Sequence, residues 1–353
     1  MSETADMITD ATRRIFQDLG EPQEIIRRGD DAGWRPLLWS AVEEAGLSRA
    51  WLPEALGGAG LSAPDTFAVL RVAGMHAAAI PLAETLLAAR LLGGAAIAPP
   101  DGPLTVAPVL PQDRLDIDAQ GRISGRARAV PFARLADHFA VLADGPNGGT
   151  VALVAREACT IEPADSIADD PADTVTFEAA PALERATATL GREDLRSLGA
   201  AMRAMQIAGA MQALLDMTTD YARERVAFGR PIGNFQAVQH LLARLAEETA
   251  TAVAAAGSVA HALETLPPGD SGLFFEVAAA KVRAGEAAGE AAMIAHQVHG
   301  AIGFTAEHPL HRFTQRLWAW RDDFGAEAEW ARSLGHRVAA GGAAAFWPTV
   351  TAI

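Results

Sequence analysis

Residues 221–245 read YARERVAFGRPIGNFQAVQHLLARL, and this stretch decides how the second half of the chain is arranged. It begins as the end of one helix, is interrupted at residues 228–231, and continues as a second helix after Asn234. Gly229 can adopt the backbone angles that close a helix, while Pro231 lacks an amide hydrogen and disfavours helix before it. Asn234 can cap the second helix with its side chain. The pattern therefore predicts two helices joined by a tight corner.

Three side chains around this corner are suited to a dinucleotide. Arg225 offers a planar guanidinium that matches the oxygens of a pyrophosphate. Phe228 offers an aromatic face and Gln236 an amide, and both groups suit an adenine or a ribose. The corner alone would also fit an ordinary helix–helix connection, so its meaning depends on the rest of the sequence.

The composition limits the class of protein. The 353 residues carry a formal net charge of −15, which argues against a nucleic acid partner. An anionic ligand would therefore have to meet a local basic group. Cys159 is the only cysteine, so neither an intramolecular disulfide nor a cysteine-based zinc site is expected.

Targeting signals are not evident in the sequence. The first residues are partly acidic and contain no apolar run, unlike a signal peptide. Residues 86–100, among the most apolar, are interrupted by Arg90, two glycines and prolines, so no membrane span is expected. We therefore expect a cytoplasmic, soluble protein.

The pattern of the sequence changes twice along the chain. Residues 1–103 and 183–353 show helical periodicity, whereas residues 104–182 contain short strand-like segments. Strands are predicted at residues 104–110, 115–117, 122–130, 138–142, 150–155 and 174–177. These segments predict an α+β fold that is mostly α, with a small β domain between two helical domains.

Three blocks of the sequence resemble signatures of the acyl-CoA dehydrogenase family, and they occur in the family's order between residues 52 and 307. They are Leu52-Pro53-Glu54 with Gly57-Gly58 and Gly60; Tyr221, Arg225, Phe228-Gly229, Pro231-Ile232, Phe235-Gln236 and Gln239; and Gln297, Gly300, Gly303-Phe304-Thr305 and Glu307. The resemblance implies an N-terminal helical domain, a central small β-barrel and a C-terminal four-helix bundle. It also implies bound FAD and a tetramer built as a dimer of dimers.

The resemblance assigns FAD contacts by position. Arg225 would contact the pyrophosphate of FAD. The residues expected near the adenosine half are Phe228, Phe235 and Gln236. The residues expected along the same dinucleotide from a facing subunit are Gln297, Gly300 and Ala301.

The resemblance also implies a reaction. Members of the family dehydrogenate an acyl-CoA thioester between its α and β carbons, in the degradation of fatty acids or steroid side chains. They pass the electrons to an electron-transfer flavoprotein. Removal of the α-proton needs a carboxylate within hydrogen-bond reach of a polarised thioester. The question is whether this chain has such a base.

Both positions at which the family carries this carboxylate hold other residues here. One falls on Phe324 and the other on Gly199, and the arginine that accompanies the second is replaced by Ala200. Asp323, one residue from the expected site, is the best substitute. It also fits a solvated or capping residue beside Arg321.

The central β domain is shortened where the flavin ring would lie. The family's Thr-Glu-Pro segment is missing between Leu104 and Asp116, and no tryptophan occurs from residue 101 to residue 317. This asymmetry resembles the smaller subunits of heteromeric acyl-CoA dehydrogenases that act on steroid side chains. Two interpretations stay open: a catalytic flavoprotein with a displaced base, or a non-catalytic partner subunit that contacts FAD.

Other interpretations are less well supported. A scaffold that has lost FAD would have no use for the Arg225 corner. Nitroalkane oxidases and hydroxylases share the fold, and a hydroxylase would need no carboxylate base. Four histidines, at positions 296, 299, 308 and 311, are not accompanied by a carboxylate pattern, so a packing role is expected and no metal site.

Overall fold

The computed structural model describes residues 3–28 and 33–351. The chain divides into two compact units. The first contains the described residues up to Leu38, residues 67–78 and the described residues from Ala200 onward. The second contains residues 39–66 and 79–199.

The α-helices and β-strands follow the predicted order of helices, strands and helices. The helices are α1 (Glu3–Leu19), α2 (Pro22–Arg28), α3 (Trp34–Glu44), α4 (Ala63–Met75), α5 (Leu82–Gly94), α6 (Arg192–Glu224), α7 (Gln236–Thr265), α8 (Ser271–His299), α9 (Leu310–Asp322), α10 (Glu327–Gly341) and α11 (Ala343–Thr351). The strands are β1 (Leu104–Ala107), β2 (Leu115–Ile117), β3 (Arg122–Pro131), β4 (His138–Gly145), β5 (Gly148–Ala155), β6 (Thr160–Glu162), β7 (Ala172–Pro181), β8 (Glu184–Thr187), β9 (Val226–Ala227) and β10 (Arg230–Pro231). The prediction of a mostly helical α+β fold with a C-terminal helical bundle is confirmed.

Strands β1 to β8 form one mixed sheet in the second unit. Its hydrogen-bonded order is β6-β7-β3-β2-β4-β5-β8, and β1 pairs with β4 in parallel. Apolar residues on one face build its core, where the rings of Phe139 and Phe177 meet edge to face at 5.9 Å. This core is aliphatic apart from these rings, as the low aromatic content predicts.

Strands β3, β4, β5 and β7 are longer than predicted, and the sheet differs from the predicted strands in three further places. The first strand ends at Ala107, before Pro108, because a proline cannot donate a ladder hydrogen bond. Strands β6 and β8 were not predicted, since neither contains an alternating apolar pattern. Strand β8 pairs with β5 and lies beyond residue 182. The division into domains at residues 103 and 182 stays a prediction.

Two glycines allow α4 and α6 to cross closely in the first unit. A Cβ atom on Gly74 would lie 2.2 Å from the carbonyl oxygen of Gln206. A Cβ atom on Gly209 would lie 2.0 Å from the carbonyl oxygen of Arg71. Any larger side chain at either position would push the helices apart.

Helices α7 and α8 pack along their length. Their facing sides are rich in alanine, and polar pairs fix their register. These pairs are Arg244 with Glu290 at 2.9 Å, Arg283 with Glu248 at 2.9 Å, and Ser258, which donates to Glu276 at 2.7 Å.

Among the described residues, none of the helices has the length and apolar character needed to cross a membrane.

Candidate functional site

The predicted corner is confirmed between α6 and α7, and its turn is a β-hairpin. Strands β9 and β10 pair antiparallel, with Ala227 opposite Arg230. Phe228 and Gly229 form the two-residue loop and have φ angles of 54° and 81°. Positive φ at both central residues is the requirement of a type I′ turn. A short 3₁₀ helix at Ile232–Asn234 then leads into α7.

The predicted cap at Asn234 is wrong. Phe235 occupies the N-cap position of α7 and makes no side-chain capping bond. The cause is the 3₁₀ turn, which moves the start of the helix one residue along the chain. The corner is closed by other bonds, because the amide of Ile232 donates to the carbonyl of Arg225 at 2.8 Å and Gln239 donates to the carbonyl of Gly233 at 3.0 Å.

Phe228 is an exposed aromatic residue in a strained backbone conformation. Its side chain is 95% exposed, so it gains almost nothing from burial. The left-handed conformation costs a non-glycine residue roughly 1–2 kcal/mol. Its ring meets Phe235 edge to face at 6.2 Å, and the guanidinium of Arg230 lies 4.3 Å above the Phe235 ring. Uncompensated strain combined with exposure is typical of a binding surface.

Arg225 and Gln236 flank this aromatic pair and are exposed. Within the described parts of the chain, the Arg225 guanidinium has no ion-pair partner. Gln236 is the first residue of α7, where backbone amides and the helix dipole favour negative charge. Together these groups offer a guanidinium, an amide, a helix N-terminus and aromatic faces on one exposed turn.

The second predicted segment lies at the end of α8. Gly300 follows the helix with a φ of 62° and opens a 3₁₀ turn to Phe304. Gln297, Gly300 and Ala301 are all exposed. The exposed ring of Phe304 stacks on His296 at 4.4 Å, so this segment also presents an aromatic face.

Tyr221 brings these two segments together. Its hydroxyl donates to the carbonyl of His299 at 3.2 Å, and its ring stacks on the His299 ring at 4.5 Å with an interplanar angle of 22°. The sequence pattern contained Tyr221 but gave it no role. The one signal in the sequence that could have drawn attention to this residue is that it is the single tyrosine of the chain.

The loop after α9 contains Phe324, one of the two positions at which the family carries its catalytic carboxylate. Phe324 has a φ of 56° and is only 7% exposed. The indole of Trp330 donates to the Phe324 carbonyl at 3.1 Å, and the Arg203 guanidinium lies 5.9 Å from the Phe324 ring. This aromatic ring is packed into the protein and presents no acid–base group.

Asp323 is held by a buried arginine. Its Oδ2 atom accepts from Nε of Arg203 at 2.8 Å, where Arg203 is 3% exposed and the Asp323 side chain 34% exposed. Arg203 also donates to Gln206 at 2.6 Å. At the other family position, Gly199 and Ala200 are buried and carry no carboxylate. The structure therefore places Asp323 in an ion pair with Arg203 through its Oδ2 atom.

Lys281 completes the network beneath this loop. It is the only lysine among the 29 basic residues of the sequence, and it is fully buried. Its ammonium donates to the carbonyls of Trp320 at 2.8 Å and Arg321 at 2.6 Å, at the end of α9. Burial lowers the pKa of Lys281 to about 7, although the charge of Asp323 acts in the opposite direction.

Arg203 and Lys281 were both missed by sequence reasoning. They lie 120 and about 40 residues from the loop they contact, so no local pattern connects them. The sequence offered one signal for Lys281, which is that the chain otherwise uses arginine as its basic residue.

The histidines near the second segment have structural partners. Nδ1 of His299 lies 2.8 Å from the carbonyl of Ala295, and Nδ1 of His311 lies 2.7 Å from the carbonyl of His308. Burial lowers the pKa of His299 to about 4, so its ring is neutral at pH 7. These rings stack and bond within the fold.

Comparison with known proteins links the chain to one family. The family description "Acyl-CoA dehydrogenase, C-terminal domain" matches residues 197–321. FadE27, an acyl-CoA dehydrogenase of Mycobacterium tuberculosis, is 31% identical over 318 residues, covering 78% of this chain and 81% of the relative. IpdE2, an acyl-CoA dehydrogenase of Mycolicibacterium smegmatis, is 29% identical over 338 residues, covering 95% of this chain and 98% of the relative.

Two solved structures are also similar to this chain. A chain of the Tcur3481-Tcur3483 steroid enzyme matches with a TM-score of 0.85 and 27% identity, covering 97% of this chain and 99% of that one. A chain of the ChsE4-ChsE5 complex from Mycobacterium tuberculosis matches with a TM-score of 0.81 and 26% identity, covering 96% of this chain and 98% of that one.

Proposed function

This chain belongs to the acyl-CoA dehydrogenase family, and from that membership we propose that it is the FAD-contacting partner subunit of a heteromeric acyl-CoA dehydrogenase. The assembled enzyme would carry out α,β-dehydrogenation of an acyl-CoA and pass electrons to an electron-transfer flavoprotein. Another subunit would supply the base.

The ion pair between Asp323 and Arg203 is the observation that carries this proposal. Phe324 and Gly199 occupy the two positions of the family's base, and Asp323 is the best substitute, ahead of Asp322, Glu327 and Glu193. The Oδ2 atom of Asp323 lies 2.8 Å from Nε of the buried Arg203 guanidinium, so this oxygen already has a partner within the chain. The carboxylate beside the expected position therefore serves an internal ion pair, which favours a structural role over that of a base.

The exposed corner fits the adenosine and pyrophosphate half of FAD. Arg225 would hold the pyrophosphate, and Phe228, Phe235 and Gln236 would contact the adenosine half. Because Tyr221 brings the two segments of one chain together, we assign Gln297, Gly300 and Ala301 of this chain to the same dinucleotide, and not to that of a facing subunit. When bound, FAD would supply the two-electron oxidation of the acyl chain. The donor set on this chain serves binding and orientation only.

The relatives support a heteromeric assembly and a bulky acyl group. One solved structure is of the Tcur3481-Tcur3483 steroid enzyme and the other is of the ChsE4-ChsE5 complex. Each of these assemblies is named for two different components. This chain covers at least 98% of the matching chain in each, so the similarity extends over a whole subunit. We therefore place this chain in hetero-oligomers acting on steroid-type or similarly bulky acyl-CoA thioesters.

A self-sufficient dehydrogenase with Asp323 as its base is the second candidate. One observation favours it, since the Asp323 side chain is 34% exposed and only its Oδ2 atom is in the ion pair. The other oxygen could then face a substrate. This candidate predicts catalysis by the chain alone.

The absorption spectrum distinguishes the two candidates. The full chain is purified alone, titrated with FAD, and mixed with acyl-CoA under anaerobic conditions, and each step is repeated with a longer homologue from the same organism. The partner-subunit proposal expects bleaching of the flavin band only in the mixture, unchanged by Asp323→Asn. Bleaching by the chain alone, lost in Asp323→Asn, would overturn it in favour of the second candidate. A colourless chain in every mixture would overturn both and leave a scaffold.

A further inference from the structure

We propose that Tyr221 is a positioning residue that holds the two FAD-contacting segments of this chain together, so that FAD affinity depends on its hydroxyl group. The first segment is the corner from Arg225 to Gln236, and the second runs from Gln297 to Ala301. This inference rests on the proposed function, because it assumes that both segments contact FAD.

Tyr221 is joined to the first segment through its backbone. It lies on the last turn of α6, and its carbonyl accepts from the amide of Arg225 at 2.8 Å. The carbonyl of Arg225 in turn accepts from Ile232 at 2.8 Å, on the far side of the hairpin. A shift of Tyr221 would therefore move the backbone that carries the guanidinium.

Tyr221 is joined to the second segment through its side chain. Its hydroxyl donates to the carbonyl of His299, which lies between Gln297 and Gly300. His299 ends α8 and is the N-cap of the 3₁₀ turn Gly300–Phe304, so this bond ties Tyr221 to the junction between the two helices. Since Gly300 has the unusual φ of 62°, the direction of the chain after α8 depends on how His299 is held.

The His299 ring gives Tyr221 a fixed surface. Its Nδ1 lies 2.8 Å from the carbonyl of Ala295, which sets the orientation of the ring. His308 meets His299 at 4.8 Å and Tyr221 at 6.4 Å, so the stack is enclosed on a second side. The contact between the two segments is thus built from a hydrogen bond and an ordered ring stack.

The hydroxyl can be tested apart from the ring. Tyr221→Phe keeps the stack on His299 and removes only the bond to its carbonyl. A single intramolecular hydrogen bond of this kind is worth about 0.5–1.5 kcal/mol, which corresponds to roughly a twofold to tenfold change in binding. Tyr221→Leu would remove both contacts and should have the larger effect.

The experiment measures the dissociation constant of FAD for the full chain, or for its complex with the longer homologue if FAD binds only there. Tyr221→Phe should weaken FAD binding about twofold to tenfold, while the thermal midpoint without FAD changes by only a few degrees. Because Tyr221 is the only tyrosine, fluorotyrosine labelling gives one ¹⁹F resonance, which should move when FAD is added.

The outcomes separate this inference from the proposed function. If Arg225→Ala weakens FAD but Tyr221→Phe does not, the positioning role is overturned and the proposed function stands. If neither Arg225→Ala nor Tyr221→Phe changes FAD binding, the corner is not the FAD site and the proposed function falls as well. A lowered thermal midpoint with unchanged FAD affinity would show that the bond serves folding alone, which also overturns the inference.

Discussion

Two Phe-Gly pairs in this protein share a backbone conformation but have opposite surroundings. Phe228 and Gly229 have φ angles of 54° and 81°, and Phe324 and Gly325 have φ angles of 56° and 100°. The first phenylalanine is 95% exposed, whereas the second is 7% exposed. The same local strain is therefore present in a surface turn and in a buried loop.

The difference lies in what compensates the strain. At Phe324 the chain itself compensates the strain. The ring is buried, the Trp330 indole donates to the Phe324 carbonyl, and the Arg203 guanidinium lies near the ring. At Phe228 the chain supplies only an edge contact with Phe235. The buried loop around Phe324 is complete in the folded chain, whereas the proposed function expects the corner around Phe228 to gain its missing contacts when FAD binds.

The largest effect is expected where the phenylalanine is buried. Phe324→Asn would relieve about 1 kcal/mol of left-handed strain, since asparagine tolerates that conformation. It would lose the burial of an aromatic ring, which is worth about 3–5 kcal/mol in large-to-small substitutions. The net loss in the free energy of unfolding should be about 2–4 kcal/mol, measured by urea denaturation. Unchanged stability would mean that the Phe324 ring is not packed as described.

Lys281 provides a pH-dependent test of the same buried loop. Its pKa is lowered from 10.5 to about 7, so between these values the folded chain binds fewer protons than the unfolded chain. The cost of burying the charge is therefore full below pH 7 and fades as the pH rises toward 10.5. From pH 7 to pH 9, the wild type should gain about 2 kcal/mol of stability relative to Lys281→Met.

Arg283→Met, on the same helix, is the matched control for this comparison and should show no such dependence on pH. Since Lys281 is the only lysine, ¹³C-labelled lysine gives a single side-chain signal whose titration reports its pKa. A titration midpoint near 10.5 would contradict both the burial and the expected pH dependence.

A substitution at the exposed corner should change the affinity for FAD and leave the free energy of unfolding almost unchanged. Arg225→Ala removes a charged hydrogen-bond donor worth about 1.5–3 kcal/mol, so FAD affinity should fall roughly tenfold to a hundredfold. The free energy of unfolding without FAD should change by less than about 0.5 kcal/mol. Arg223→Ala is the control, since Arg223 lies two residues before Arg225 on the last turn of α6, is 74% exposed and pairs with Asp220. Equal losses of affinity in the two variants would point to a general charge effect.

The sequence could predict the corner because its causes are local. Gly229 and Pro231 interrupt the helix wherever the rest of the chain lies, and the structure places the break at those residues. The hairpin within the corner was not predicted, because Phe is unusual at the first position of a type I′ turn. Strands β6 and β8 were missed for a related reason, since only their pairing with β7 and β5 makes them strands.

The candidate site was predictable only in part. The exposed residues proposed to contact FAD follow a motif with fixed spacing, so the sequence names them as candidates without knowledge of the fold. The state of Asp323 depends on Arg203, 120 residues away on α6, and on Lys281 on α8. Contacts between distant helices leave no trace in a local pattern. For this reason the sequence could name Asp323 as a candidate base but could not show that it is paired.

The smallest effect is expected at the exposed phenylalanine, and it should have the opposite sign to that at Phe324. Phe228→Asn gives an Asn-Gly pair, which is a favoured loop for a type I′ hairpin. Since the Phe228 ring is 95% exposed, little burial is lost, and the free energy of unfolding should rise by about 0.5–1 kcal/mol. FAD affinity should fall at the same time, because the aromatic face is removed. A variant that is both less stable and unchanged in FAD affinity would show that the ring serves the fold, and the contrast between the two Phe-Gly pairs would disappear.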